Sequence, residues 1–116
     1  MVGLVLVSHS RALAEALVNL VKQMASPELR VAFAAGAGPD RQELGTDASE
    51  IAAAIQSVYS PDGVLVLMDL GSAVLSAEMA VKLLPQEMQG NIVCCAAPLV
   101  EGAIAASVQA GLGSDL

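Results

Sequence analysis

Four short apolar runs recur along the chain: VGLVLV (2–7), RVAFAA (30–35), GVLVLMD (63–69) and NIVCCAA (91–97). Each has the length of a strand and is apolar at successive positions, so both of its faces need cover. After each run apolar residues return three and four positions apart, which predicts helices over Ser10 to Ala25, Asp47 to Tyr59, Ser72 to Leu84 and Leu99 to Gly111. Gly or Pro marks most of the boundaries. Strands alternating with helices predict a single α/β domain over residues 1–116, doubly wound, with a mainly parallel four-stranded sheet and helices on both faces.

Right-handed crossovers and two covered faces favour the strand order 2-1-3-4, which makes the first and third strands neighbours. The chain leaves those two strands in opposite directions, so a crevice opens at their carboxyl ends, where open α/β sheets bind ligands. The first strand ends in SHS, which carries His9, the only histidine. The third ends in MDLGSA, with Asp69, Gly71 and Ser72. The one long loop, GAGPDRQELGT (36–46), ends on Thr46 and can fold over the same rim.

Composition narrows the partners. The chain is 55% hydrophobic but 2% aromatic, so its core is built from Ala, Val, Leu, Ile and Met, which suits helices packed closely on a sheet. A net charge of -7 opposes binding to phosphodiester backbones. No uncharged apolar run reaches the roughly 18 residues of a membrane span, and no basic segment precedes the first apolar run, so a cytoplasmic location is expected. Cys94 and Cys95 are adjacent in a strand and point to opposite faces; without CxxC or a Cys/His cluster they read as small buried hydrophobes, and no metal site is expected.

His9 and Asp69 at one crevice form a base and its orienter, but a hydrolase also needs a nucleophile activated by the histidine. Ser8, Ser10, Ser72 and Thr46 are at hand, yet none sits in the G-x-S-x-G turn that exposes a nucleophile on such sheets. The alternative makes the imidazole the nucleophile, one ring nitrogen donating to Asp69 and the other carrying the free lone pair. The surroundings suit a phosphoryl group: Ser10 and Ser72 open two helices, whose N–H groups and dipoles attract anions, Gly71 permits close backbone approach, and Thr46 adds a hydroxyl. Arg11, one turn into the first helix, is a candidate for the phosphate or for an acidic group on a partner. No Walker motif, G-x-G-x-x-G or Mg-binding acidic cluster is present, so nucleotide is not expected on this chain alone. Several of these residues have simpler uses as well, since Asp69 or Ser72 can cap a helix and GTDASE offers Asp47 as a cap with Glu50 three residues on. The convergence of His9, Asp69, Ser72 and Thr46 on one rim favours the functional reading.

VSHS, GTD, MDLGSA and CAAPLVEG, in this order, closely resemble the phosphotransferase subunits of bacterial dihydroxyacetone kinases. These belong with the mannose-type EIIA phosphocarriers of the phosphoenolpyruvate-dependent sugar phosphotransferase system. The resemblance covers nearly the whole chain. It implies that His9 is phosphorylated by HPr, itself charged by enzyme I, and supported by an aspartate at the position of Asp69. Phosphate would then pass to ADP held on the DhaL subunit, and the ATP formed would phosphorylate dihydroxyacetone on DhaK, a phosphoenolpyruvate-glycerone phosphotransferase activity. No cofactor is implied on this chain itself. Mannose-type relatives dimerise, so a homodimer is expected; some relatives carry HPr-like and enzyme-I-like domains behind this one. Other readings are a sugar-transporting EIIA component, a receiver-like domain phosphorylated on a carboxylate, and a small hydrolase with His9 as base.

Overall fold

The computed structural model describes residues 1–116 except Arg41, Leu70 and Ala96, and describes Gly71 and Ser72 by their backbone alone. In chain order the elements are β1 (Gly3–Ser8), α1 (Arg11–Met24), β2 (Val31–Ala35), α2 (Ala48–Val58), β3 (Val64–Met68), α3 (Gly71–Lys82), α4 (Gln86–Gln89), β4 (Ile92–Cys95) and α5 (Leu99–Gly111). The sheet runs β2-β1-β3-β4 with every pair parallel, as the alternation predicts. The short helix α4 follows Pro85 and was not anticipated, because four residues are too few to show a helical period.

Strand alternation sorts the core into two halves. From β1, Val5 and Val7 join Ile51 and Ile55 of α2 and Ala73, Ala77 and Ala80 of α3. Leu4 and Leu6 face the other way, onto Leu17, Val18 and Val21 of α1 and Leu99 and Ala103 of α5. Each fully buried Leu or Ile contributes about 1.5–3 kcal/mol, so these two layers carry most of the drive to fold. The alanine side of α3 lets that helix lie close to the sheet, which leaves Leu75 and Met79 on its outward face and Leu83 in the turn that follows, 66%, 61% and 60% exposed. Gly3 meets the same demand for closeness at the start of β1: a Cβ there would lie 2.4 Å from the Val58 carbonyl oxygen.

Cys94 and Cys95 divide between the two core halves, as adjacent strand positions must, and both are free. They are half-buried, less covered than expected, because β4 is the edge of the sheet. Burial, and then the charge of Glu78, push the Cys94 thiol above its ordinary pKa. Among the described residues no helix is long and apolar enough to cross a membrane.

Candidate active site

β1 and β3 pair in the register Val7↔Met68, so the next residues along, Ser8 and Asp69, come side by side where both strands end. Alternation sets both on the α1/α5 face. Backbone closes the corner, with the Asp69 N–H donating to the Val7 carbonyl at 3.1 Å. The chain then turns through His9 into α1 on one face of the sheet and, after Asp69, into α3 on the other, as the strand order predicts.

Among the described residues the Asp69 carboxylate collects three hydrogen bonds. Oδ1 lies 2.9 Å from Nδ1 of His9. Oδ2 accepts the Ser8 hydroxyl at 2.7 Å and the His9 backbone N–H at 3.0 Å. Burial pushes the Asp69 carboxyl up, but the bonds from the His9 ring, the Ser8 hydroxyl and the His9 N–H, with the charge of His9, outweigh it and hold the carboxyl below its ordinary value. An ionised carboxylate accepts only, so Nδ1 must be the donor and the lone pair of the neutral ring lies on Nε2. The two side chains are 17% and 15% exposed, sheltered enough to be held yet open to an incoming group.

The loop 36–46 clamps this corner from above. It is a small hairpin rather than an irregular connection, since Ala37 and Glu43 exchange backbone hydrogen bonds at 2.8 and 3.1 Å. Its last turn brings the Gly45 N–H to the His9 carbonyl at 3.0 Å, and Gly45 holds φ at 147°, a conformation that side chains disfavour. Thr46 follows. Its hydroxyl bonds Ser76 of α3 at 2.6 Å and lines, with Ala37, Pro39, Asp47, Ser76 and Met79, an open groove of about 590 Å³ beside the site.

Ser10 is the N-cap of α1: its hydroxyl accepts the Leu13 N–H at 3.3 Å, and its own N–H donates to Ser8 Oγ at 3.0 Å. Asp47 caps α2 through the Ser49 N–H at 2.8 Å. Gly71 and Ser72 form the first turn of α3; the Ser72 side chain lies outside the described residues. Arg11, expected toward a phosphate or a partner, is folded onto β2 instead. Its guanidinium stacks 5.1 Å over Phe33, donates to the Ala35 carbonyl at 3.4 Å, and pairs with Glu15 at 3.1 Å and Glu50 at 3.5 Å. Glu50 also accepts the Ala35 N–H, so α1, β2 and α2 share one polar junction. Sequence reading weighed Ser8 only as a possible nucleophile; the better signal was a serine closing an otherwise apolar strand.

A parallel 2-1-3-4 sheet carries an Asp-held histidine at its switch point, and the chain belongs to the EIIA-man family. The sequence profile of that family, described as the PTS system fructose IIA component, matches residues 3–116. Curated relatives bear the name of the phosphoryl donor subunit DhaM of PEP-dependent dihydroxyacetone kinases. The Escherichia coli protein is 49% identical over all of this chain, which spans 25% of its length. A Listeria innocua protein is 38% identical over 94% of this chain and 86% of its own. A crystal structure titled as a protein of unknown function superposes with a TM-score of 0.85 at 36% identity, covering 100% of this chain and 88% of that one.

Proposed function

We propose that this domain is a phosphohistidine carrier that accepts a phosphoryl group from HPr on Nε2 of His9 and passes it to ADP held on a DhaL-type subunit. The resulting ATP then serves phosphorylation of dihydroxyacetone on a DhaK-type subunit, in the cytoplasm. The observation that carries this reading is the 2.9 Å contact between His9 Nδ1 and Asp69 Oδ1, which assigns the lone pair to the nitrogen turned away from the carboxylate. The names of the relatives support the identity of the kinase.

In the transfer the Nε2 lone pair attacks phosphorus while the bond from phosphorus to the donor nitrogen breaks and its electrons return to the donor ring. The product ring, phosphorylated on Nε2 and protonated on Nδ1, is cationic, and Asp69 stabilises it at hydrogen-bond distance. Phosphoryl transfer demands little more than in-line positioning and charge stabilisation, so a site this small suffices. The backbone at Gly71 and Ser72 opening α3, together with the Ser10 and Thr46 hydroxyls at the rim, supplies donors for the phosphoryl oxygens.

Incubation with phosphoenolpyruvate, enzyme I and HPr tests the reading. One phosphate stable in base and labile in acid is the expected product; no uptake, or a phosphate labile in base and to hydroxylamine, defeats it. The outward face of α3 supports a homodimer, because Leu75, Met79 and Leu83 form an exposed apolar stripe flanked by Glu78 and Lys82, opposite charges one turn apart that an antiparallel two-fold would pair. Sedimentation at micromolar concentration should give the mass of two chains.

A further inference from the structure

We propose that Ser8 is a positioning residue for His9: its hydroxyl fixes the Asp69 carboxylate so that the imidazole keeps its proton on Nδ1 and its lone pair on Nε2. Ser8 is 0% exposed and, with Ser107, makes up the fully buried polar side chains among the described residues. A serine in that position costs free energy unless both capacities of its hydroxyl are used. Both are used here, in a direction that geometry settles. The Ser10 N–H can only donate, so Ser8 Oγ accepts from it at 3.0 Å, and the single hydroxyl proton goes to Asp69 Oδ2 at 2.7 Å. The carboxylate is thereby tied to the first turn of α1 through Oδ2, and its other oxygen is left aimed at the imidazole. Rotation of the carboxylate would break two Oδ2 bonds at once.

A serine that merely capped the turn into α1 would need only the bond from Ser10. The second bond, into the carboxylate, is what links Ser8 to the ring. Among the described residues His9 is the titratable side chain that bonds Asp69. Those of the surrounding elements are engaged elsewhere: Arg11 of α1 with Glu15 and Glu50, Glu50 of α2 also with β2, and Asp47 with its own helix. On α3, Glu78 and Lys82 lie on the exposed side.

The tautomer assignment stands without a phosphodonor; only its consequence for transfer rests on the phosphohistidine reading. The experiment is ¹⁵N NMR of the His9 ring in the unphosphorylated protein, with the ¹³C titration of the Asp69 carboxyl, in wild type, Ser8→Ala and Ser8→Cys. Wild type should show the Nδ1–H tautomer. Ser8→Ala should show a mixture of tautomers and an Asp69 titration moved to higher pH, with Ser8→Cys, a weaker donor of similar size, between them. Phosphoryl uptake by Ser8→Ala should fall about tenfold in kcat with KM for the donor kept, the scale of a lost hydrogen bond to a charged group. Wild-type tautomer and titration in Ser8→Ala, even with lowered stability, would overturn the proposal. If Ser8→Ala does not fold, Ser8→Cys decides alone, and wild-type values there overturn it too. A protein that takes up no phosphate yet shows the predicted tautomer change would refute the carrier function and leave the role of Ser8 standing.

Discussion

The two ends of the sheet each pair an aspartate with a cationic or protonatable nitrogen, and they use the pair differently. At the amino edge the ammonium of Met1 meets Asp62, whose side chain is 61% exposed. At the carboxyl edge His9 meets Asp69, 17% and 15% exposed, and the carboxylate is further held by the Ser8 hydroxyl and the His9 N–H. Exposed ion pairs are screened and loosely held, worth about 0–1 kcal/mol. A sheltered carboxylate held by several donors has a fixed orientation, and orientation is what a nucleophilic imidazole needs. Similar charges at opposite ends of the same strands thus form a surface contact in one place and, in the other, the sheltered site to which we assign phosphoryl transfer.

The sharpest way to break this contrast is His9→Ala. Uptake of phosphate from phosphorylated HPr should be lost altogether while circular dichroism stays that of the wild type; retained uptake would move the reaction centre away from the carboxyl edge. Asp69→Asn comes next. It keeps the shape but removes the charge, and transfer should slow by roughly 10- to 100-fold, the range for losing a hydrogen bond to a charged group. A rate equal to wild type near pH 7 would mean that the carboxylate does not assist.

At the other end, Gly3→Ala should cost about 1–3 kcal/mol in chemical denaturation, because the added Cβ falls 2.4 Å from the Val58 oxygen and backbone must shift. Transfer per folded molecule should not change. Acid probes the carboxyl-edge pair as well. Since folding holds Asp69 below its ordinary value of 3.8, its contribution is complete above that pH and is lost as pH falls through the folded-state value. Stability should therefore depend less steeply on pH below about 4 in Asp69→Asn than in wild type. The smallest effect belongs to Asp62→Asn, which should change stability by no more than about 1 kcal/mol and transfer not at all. A large loss there would show that the amino-edge pair is more than a surface contact.

Much of this was legible in the residues. Apolar runs of strand length followed by helical periods determined the order of the main elements, and strand and helix chirality then left little choice of topology. His9 in the turn after the first strand and Asp69 at the end of the third marked the crevice. Other features depended on contacts between distant segments. Arg11 looked available because its neighbours in sequence are a helix turn, but Phe33, Ala35 and Glu50 close over it from β2 and α2. Thr46 was placed at the rim correctly by the loop, yet its bond to Ser76 needed α3 packed beside α2. Helix α4 carried too few residues to leave a pattern.

The sequence by itself determined which residues could do chemistry and on which edge of the sheet they would lie, since period and turn position are local properties of the chain. Only the tertiary structure decided that Ser8, His9 and Asp69 meet in one hydrogen-bonded group. That depends on the register of β1 against β3, Val7 opposite Met68, and a slip of one residue would turn Ser8 or Asp69 to the opposite face. Register is set by how two separate apolar layers pack on both sides of the sheet, a property of all the strands and helices at once.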